Sequence, residues 1–434
     1  MFKSNSFFLG ISNGNKSLLK NFSWRTSQLF VKGLLSLFTL FITASFLTSE
    51  QFGIIIYLNS ILTLLLIFCD FGISASVSKY TAEYIALESG NERKLFGSSS
   101  ILISFFSLIA SLFVLFFSKH LFPKYHPLTL ILLPCLFLSP ISSLLDGIYR
   151  GHEKFKKLFF SNVYSSIAAI VTTTILVIKF KVEGALIALA VTHLLFIFSM
   201  IFTNKVVINE ISIGVMKDIG KYAFYVGFAS ISYFMYTQVD ILVMEKFGYI
   251  NEIGYYGIID RVFYFFLLPS VILGQVLAPE ISRLSVFKNY RHIKTKFHLS
   301  FIIGLPCSII ISGFVYILAM LILKYYGAHY NTDSFVSILN LLSLLLPLKI
   351  LGSFTANGFI TPSGNIHILS LTTFVGGIIN IVLDILLIRE YGFMGIFFAT
   401  LIVHSLCIIL SNILFYWKLV LKTNSTIQPL TMAV

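Results

Sequence analysis

The chain has 434 residues, of which 57% are hydrophobic and 11% are charged, and its mean hydropathy is +0.91. Soluble domains carry about 25% charged residues, so this composition excludes a water-soluble fold and makes the bilayer the solvent. The formal net charge is +13. The positions of the basic residues decide whether this charge binds an acidic partner or orients the chain in a membrane.

Twelve long apolar stretches follow one another along the sequence. A hydrocarbon core of roughly 30 Å needs about 20 apolar residues per helix. Because these stretches are continuously apolar and do not alternate, they predict helices and not the strands of a membrane barrel. The predicted spans lie near residues 26–47, 51–69, 96–118, 128–148, 158–178, 182–203, 218–243, 253–278, 297–323, 334–357, 366–388 and 393–416.

The segments between the spans are short and hold no soluble domain. The first 25 residues are polar and basic, and we expect no cleavable signal there. The longest inner connection follows a turn at DFG and reads SVSKYTAEYIALES, which predicts a surface helix. The sequence contains no Walker, GxGxxG or HExxH motif, and its four cysteines are isolated. We therefore expect no enzyme activity, no cofactor, no metal centre and no disulfide.

Basic residues concentrate on one side of the predicted spans. With both ends inside, the inner segments hold 21 of the 31 Lys and Arg residues, the outer loops hold seven and the spans hold three. Since cytoplasmic loops carry the excess of positive charge, this threefold bias predicts that both termini are cytoplasmic. The bias also accounts for most of the net charge, so we expect no nucleic-acid partner.

Two short motifs recur at a constant separation. DGIYRGHEKF corresponds to NGFITPSGNI, and EGALIALAVTH corresponds to MGIFFATLIVH. The matching pairs, each 211 positions apart, are Gly147 with Gly358, Gly184 with Gly395, Ala188 with Ala399 and His193 with His404. One fixed offset predicts an internal duplication, with six-helix bundles at residues 1–210 and 211–434. Duplicated halves are the usual architecture of secondary transporters.

Several charged residues lie inside the predicted spans, where each costs about 2.5–3.5 kcal/mol on insertion scales. Arg25 precedes Lys32 by seven residues and shares its helix face. Lys349 follows Pro347 in the inner half of span ten and has no obvious acidic partner at its depth. We expect Arg25, Lys32, Arg261 and Lys349 to line a cationic, water-filled cavity. In a membrane, such a cavity suits phosphate or pyrophosphate.

The remaining polar residues inside spans admit two interpretations each. The candidates for coupling or for a structural role are Asp240, Asp260, Asp384, His193 and His404. The histidines are either a titrating pair for proton coupling or hydrogen-bonded histidines inherited twice by duplication.

Other residues carry structural alternatives. Lys32 can extend its ammonium to the interface without a partner. Asp240 can form a salt bridge with Arg261, and Asp384 can pair with Arg389 at the interface. Tyr233 and Tyr236 either belong to an interfacial belt or stack on sugar rings.

Further motifs connect the sequence to a known family. DFGISASVSKYTAEY follows span two, SEQFGIIIY lies between spans one and two, NEIGYYGIIDRV lies between spans seven and eight, and LAPEISRL ends span eight. In their order and spacing, these motifs resemble the lipid-linked oligosaccharide (O-antigen-type) flippases of the multidrug/oligosaccharidyl-lipid/polysaccharide exporter superfamily. The resemblance covers essentially the whole chain.

The resemblance implies an all-α polytopic membrane protein with twelve helices in two six-helix bundles. It implies alternating access and transfer of an undecaprenyl-pyrophosphate-linked repeat unit across a bacterial inner membrane, for O-antigen, lipopolysaccharide or capsule synthesis. Partners of that function are membrane lipid, a polysaccharide polymerase and glycosyltransferases. Span one departs from the lipid II flippases because it carries only Arg25 and Lys32, which argues against a peptidoglycan precursor.

Two other classes remain open. An ion-coupled drug/cation antiporter of the same fold would need an acidic cavity to hold its substrate, whereas the inner-half charges here are lysines. A membrane polymerase or glycosyltransferase would need a large outer loop or a soluble domain with acidic catalytic residues. The longest predicted outer loops have only about ten residues, which leaves no room for such a domain.

The orientation is testable with reporter fusions. Fusions at Lys124 and Lys181 are expected to report the periplasm, and fusions at Lys156 and Arg291 the cytoplasm, because the basic loops stay inside. Alkaline phosphatase and a fluorescent protein provide the two readouts. A single inverted site would contradict the twelve-span topology.

Overall fold

The computed structural model describes residues 4–88, 90–203, 211–326 and 332–431. Within these ranges every regular element is helical. The helices up to residue 203 are α1 (Ser4–Phe46), α2 (Ser49–Asp70), α3 (Ile73–Ala86), α4 (Glu92–Leu121), α5 (His126–Ile131), α6 (Leu133–Gly151) and α7 (Phe155–Thr203). The helices from residue 211 onward are α8 (Ile213–Thr237), α9 (Val239–Lys246), α10 (Ile250–Val286), α11 (Tyr290–Tyr326), α12 (Asp333–Thr355), α13 (Ile366–Tyr391) and α14 (Phe393–Thr431).

In these described ranges, nine helices are long and apolar enough to cross a membrane, and the number is eleven when two bent pairs each count as one span. The pairs are α5–α6, bent by 48°, and α8–α9, bent by 47°. Helix α7 is 49 residues long but is interrupted at Lys181, where φ is 48° and ψ is −120°. Its two parts are each long enough for one span. The prediction of an all-α polytopic membrane protein is confirmed, and the observed helices are consistent with twelve spans.

The interruption of α7 recurs in the second half of the chain. Gly392 separates α13 from α14 with φ 59° and ψ −147°, and it lies 211 positions after Lys181. Three residues after each break comes a repeat glycine. A Cβ on Gly184 would overlap the carbonyl oxygen of Leu176, and a Cβ on Gly395 would overlap that of Leu387, again 211 positions apart. The internal duplication therefore extends to backbone conformation.

The chain forms two compact units. One comprises the residues up to Leu47 together with Ile61–Ile231, and the other comprises Thr48–Ser60 together with the residues from Ser232 onward. The predicted boundary between residues 210 and 211 falls at the edge of the stretch 204–210, which lies outside the described residues. That boundary stays a prediction.

Each unit buries its own hydrophobic core. In the first unit Val77, Leu95 and Leu144 are buried together from α3, α4 and α6. In the second unit the ring of Phe297 packs edge-on against Phe359 and Phe415, at centroid distances of 5.4 and 5.2 Å. Aromatic rings prefer such edge-to-face contacts, and these join α11, the turn that follows α12, and α14.

The DFG sequence after span two forms a sharp turn. Phe71 and Gly72 both have positive φ, at 38° and 80°, and the Oδ1 atom of Asp70 accepts a hydrogen bond of 3.1 Å from the backbone N–H of Ser74. This bond satisfies a free amide in the first turn of α3. The surface helix predicted here is therefore present, at Ile73–Ala86 in place of residues 76–89; residue 89 lies outside the described residues.

Helix α3 is held to α8 by a tyrosine. The hydroxyl of Tyr84 donates to Asp218 Oδ2 at 3.2 Å. Burial and this hydrogen bond raise the pKa of Tyr84 to about 12. The phenol therefore stays protonated and remains a donor across the physiological pH range.

The repeat glycines Gly147 and Gly358 mark close helix contacts. A Cβ on Gly147 would lie 2.5 Å from the carbonyl oxygen of Ser74 in α3. Gly358 sits in a π-helical turn, Ala356–Ile360, that follows α12, and a Cβ there would lie 3.2 Å from Cα of Gly274 in α10. Only glycine permits backbones to approach this closely.

The break at Lys181 gives a stability prediction. Lys181→Gly is expected to stabilise the protein by about 1 kcal/mol, because glycine adopts this positive-φ conformation without strain. Lys179→Gly is the matched control, since it places glycine within the helix and is expected to cost about 1 kcal/mol. Thermal unfolding in detergent measures both. A lower midpoint for Lys181→Gly than for the unaltered protein would contradict the prediction.

Candidate functional site

The first unit brings several charged side chains of α1 and α6 together. Arg25 is half-buried, and its Nη1 donates to Gln28 Oε1 at 2.7 Å. Lys32 is exposed although it lies within a span. On α6, Arg150 Nε lies 2.7 Å from Asp146 Oδ2. Lys32 interacts electrostatically with Arg25, Arg150 and Asp146.

This cluster carries more positive than negative charge. It holds three cationic side chains and the single carboxylate of Asp146, which Arg150 already neutralises. Within the described residues, the Nε–H of Arg150 has no well-aligned hydrogen-bond acceptor, so this contact is an ion pair of poor geometry. The cluster therefore attracts an anion with several acceptor oxygens.

His193 lies beside this cationic cluster. Its Nδ1 is 2.9 Å from the hydroxyl of Ser142, and its ring interacts electrostatically with Lys32. The bond joins α7 to α6. His193 is thus hydrogen-bonded within the first unit, as one of its two interpretations requires. A role in proton coupling stays a prediction.

A polar cavity of about 250 Å³ also lies in the first unit. Its walls include the carboxylate of Asp70 and the hydroxyls of Ser139, Ser143 and Ser230. Pro140 stands inside α6 at this level and removes one backbone donor from the helix. Hydroxyls and a carboxylate around a small cavity are suited to binding the hydroxyls of a sugar.

The second unit contains a buried cluster of acidic and neutral polar groups. Asp240 and Asp384 are 1% and 0% exposed. The amide Nδ2 of Asn380 donates to Asp240 Oδ1 at 2.6 Å and to Asp384 Oδ2 at 3.2 Å. The hydroxyl of Thr400 lies 2.9 Å from Asp240 Oδ2. These side chains come from α9, α13 and α14.

Two carboxylates this deeply buried need compensation. The carboxyl groups of Asp240 and Asp384 interact directly, and among the described residues the Oδ1 atoms of Asn380 and Asp384 have no hydrogen-bond partner. Like charges in a low dielectric cannot both persist without a proton or a cation between them. The available ligands are all oxygens, which hard cations prefer over softer metals.

Two predicted ion pairs are corrected by this geometry. Asp240 makes its hydrogen bonds with Asn380 and Thr400, whereas the opposite charge that acts on Arg261 is Asp260, its neighbour in sequence. Asp384 lies fully buried beside Asn380, away from the interfacial position that a pair with Arg389 requires. The partners of these two carboxylates therefore depend on their burial and not on which charged residues are near them in sequence.

Lys349 belongs with the acidic cluster. It is half-buried on α12 and interacts electrostatically with Asp240 and His404. Lys349 forms no ion pair with Asp240 among the described residues, so the expectation that it lacks a direct acidic partner stays a prediction. Its ammonium offsets part of the negative charge of Asp240.

His404 differs in its contacts from its repeat equivalent. Its Nε2 is 2.9 Å from the backbone carbonyl oxygen of Tyr236, and its ring stacks on the Tyr236 ring at 4.0 Å with an interplanar angle of 13°. The stacking face of Tyr236 is thus occupied by His404. Tyr233 is 60% exposed and remains available to stack on a ligand.

Arg261 is exposed and Asp260 half-buried on α10. Asp260 interacts electrostatically with Tyr233, and Tyr264 is 60% exposed on the same helix. A guanidinium exposed within a span is stable only where it meets water or a ligand. These side chains give the second unit a polar, aromatic surface inside its spans.

Four participating residues were not predicted from the sequence. These are Asp146 and Arg150 at the end of α6, and Asn380 and Thr400 in the acidic cluster. Asn380 and Asp384 stand four residues apart in an otherwise apolar span, and hence on one helix face. That spacing was the available signal.

Comparison with known proteins identifies the family. The model of the family described as "Polysaccharide biosynthesis protein" matches residues 18–285. The uncharacterized membrane protein MJ1375 of Methanocaldococcus jannaschii is 24% identical over 398 residues, which cover 87% of this chain and 92% of that protein.

Solved structures share the fold. A multidrug resistance MATE family transporter of the MOP superfamily, in an inward-facing conformation, has a TM-score of 0.75 at 16% identity, with 91% of this chain and 96% of that chain covered. The lipid II flippase MurJ has a TM-score of 0.68 at 19% identity, with 91% and 89% covered. A MOP superfamily transporter from Pyrococcus furiosus has a TM-score of 0.64 at 15% identity, with 94% and 96% covered. The chain is a multi-pass membrane protein that belongs to the polysaccharide biosynthesis protein family, as its motifs predicted, and it has the fold of MOP superfamily transporters.

Proposed function

We propose that the protein is a flippase that moves an undecaprenyl-pyrophosphate-linked oligosaccharide repeat unit from the cytoplasmic to the outer leaflet by alternating access. The family is named for polysaccharide biosynthesis, and a lipid II flippase is among its structural neighbours. The product would serve surface polysaccharide such as O-antigen or capsule. The transfer involves no chemical step on the substrate.

The observation that carries this proposal is the excess positive charge inside the first unit. Arg25, Lys32 and Arg150 outnumber the single carboxylate of Asp146. A pyrophosphate offers several anionic oxygens and neutralises two uncompensated cations in one group. Charge-assisted hydrogen bonds of this kind are about twice as strong as neutral ones.

The antiporter alternative is less well supported by the placement of charge. A cationic drug needs carboxylates that it can reach, but Asp240 and Asp384 are 1% and 0% exposed. Lys32 and Arg261, which are exposed within spans, are both cationic. The substrate suited to these exposed groups is an anion.

The acidic cluster of the second unit supplies the coupling. Asp240 and Asp384 lie too close together for both to stay ionised without a counter-charge, and Lys349 acts electrostatically on Asp240 alone of the two. A proton or a monovalent cation between the two carboxyl groups supplies the missing positive charge. Such a site would make transport depend on an ion gradient, with Asn380 and Thr400 as the neutral ligands.

The function sets the expected location and partners. The protein would lie in a bacterial inner membrane with both termini in the cytoplasm, where glycosyltransferases assemble the lipid-linked unit. A polysaccharide polymerase would use the unit after transfer.

The substrate site is tested at Lys32. Lys32→Ala is expected to lower export about ten- to a hundredfold, because a hydrogen bond from a charged group contributes about 1.5–3 kcal/mol. Lys32→Arg keeps the charge and is expected to retain most of the export. The measurements are surface polysaccharide and protein abundance. Lys119→Ala, at the end of α4, is the control and should export normally; normal export by Lys32→Ala at normal abundance would remove Lys32 from the site.

The coupling site is tested by ion-dependent stability. Na⁺ at about 100 times its dissociation constant is expected to stabilise the purified protein by about 3 kcal/mol relative to K⁺. If protons fill the site, lowering the pH gives the stabilisation instead. Asp240→Asn should abolish the response in either case, and Asp260→Asn should retain it. A protein that responds to neither ion, or an Asp240→Asn variant that responds fully, would exclude this role.

A further inference from the structure

An apolar cavity of about 600 Å³ lies in the second unit, between α10, α11 and α12. Its longest wall is one stripe of α11 that runs from Lys296 through Gly304 to Phe314. Leu273 of α10 and Ile350 of α12 form its side walls, and the cavity is open at Leu273 and Phe314, each of which is 59% exposed. Among the described residues that line the cavity, Lys296 is the one that carries a charge. An apolar cavity within membrane spans holds hydrocarbon in preference to water.

The length of this cavity selects its occupant. Lys296 and Phe314 are 18 residues apart on α11, which corresponds to about 27 Å at 1.5 Å per residue. The hydrocarbon core of a bilayer is about 30 Å thick, so an ordinary lipid tail reaches about half of that distance. A chain that fills the whole cavity must therefore be longer than the tail of a phospholipid.

Basic residues surround the Lys296 end of the cavity and can bind the phosphate headgroup of a lipid. The end of α10, the turn after it and the first turns of α11, together called the α10–α11 connection, hold Arg283, Lys288, Arg291, Lys294 and Lys296 against one acid, Glu280. Lys296 Nζ lies 3.0 Å from Glu280 Oε1, which accounts for one of these charges. The excess of basic residues attracts a phosphate at the interface, next to the point where the apolar wall begins.

We propose that this cavity binds the polyprenyl chain of the lipid carrier, with its phosphate at the basic α10–α11 connection. The inference rests on the proposed flippase function and adds a place for the lipid part of the substrate, apart from the cationic residues of α1 and α6. The chain runs along α11 past Gly304 towards Phe314.

Photocrosslinking tests the binding directly. The full-length protein in phosphatidylcholine vesicles is irradiated with a polyprenyl phosphate that carries a diazirine near the end of its chain. Adducts are expected on Ile311 and Phe314, which line the far part of the cavity, and not on Ile310, which is 71% exposed on the same helix outside it. Equal labelling of Ile310 would indicate bulk lipid and overturn the proposal.

Competition identifies the source of the bound chain. Unlabelled polyprenyl phosphate at about ten times its dissociation constant should reduce the adducts about tenfold. Dioleoyl phosphatidic acid, which has the same headgroup and ordinary tails, should not. Competition by both lipids to the same extent would make the cavity a phospholipid site and overturn the proposal.

Two tryptophan variants of α10, one inside the cavity and one outside it, test whether the cavity must be empty for the chain to bind. Leu273→Trp places a larger ring in the cavity and is expected to lower both the adducts and polysaccharide export about fivefold, because the ring clashes with a chain bound there. Val276→Trp, on the exposed outer face of α10, should change neither. Full labelling and normal export by Leu273→Trp would overturn the proposal.

The two proposals fail in different experiments. Crosslinking measures binding and requires no transport. If the adducts are absent while Lys32→Ala still loses export, the cavity is not the lipid site and the flippase function stands. If the adducts form but the unaltered protein moves no lipid-linked oligosaccharide in vesicles, the flippase proposal fails and the cavity still binds polyprenyl chains.

Discussion

A charge inside a bilayer must meet an opposite charge, a proton or water, and this constraint organises both units of the protein. In the first unit Asp146 neutralises one of three cationic side chains, and Arg25 and Lys32 are left in excess. In the second unit two carboxylates are buried together, and Lys349 acts electrostatically on Asp240. The first cluster is therefore cationic and the second acidic, so the two attract ions of opposite sign.

Duplication supplied one scaffold for these two environments. The turns at Lys181 and Gly392 have the same handedness of φ, and the glycines three residues later make the same backbone contacts. The side chains have since diverged. His193 bonds a hydroxyl beside cations, whereas His404 stacks on Tyr236 next to an acidic cluster. The two halves therefore share the backbone conformation at the breaks. Their equivalent histidines differ in their contacts because the charges around them differ.

The sequence predicted the features that depend on local pattern. Long apolar runs predicted the spans, and a constant offset predicted the duplication, whereas the matching backbone breaks at Lys181 and Gly392 were found only in the structure. The acidic cluster was not predicted as a unit, because its hydrogen bonds join residues 140 and 160 positions apart and two of its members are neutral. The pair Asp240–Arg261 was wrong for the same reason, since hairpin proximity says little about which partner a buried carboxylate finds.

The π-helical turn at Ala356–Ile360 has a consequence for motion. A π turn contains one residue more than an α turn, and moving that extra residue along the helix rotates the intervening segment by about 100°. Helix α12, which carries Lys349, ends at this turn. If the extra residue moved by one position along the helix, the side chains of the segment that it passes would rotate about the helix axis to face new neighbours. The segment would keep its backbone hydrogen bonds.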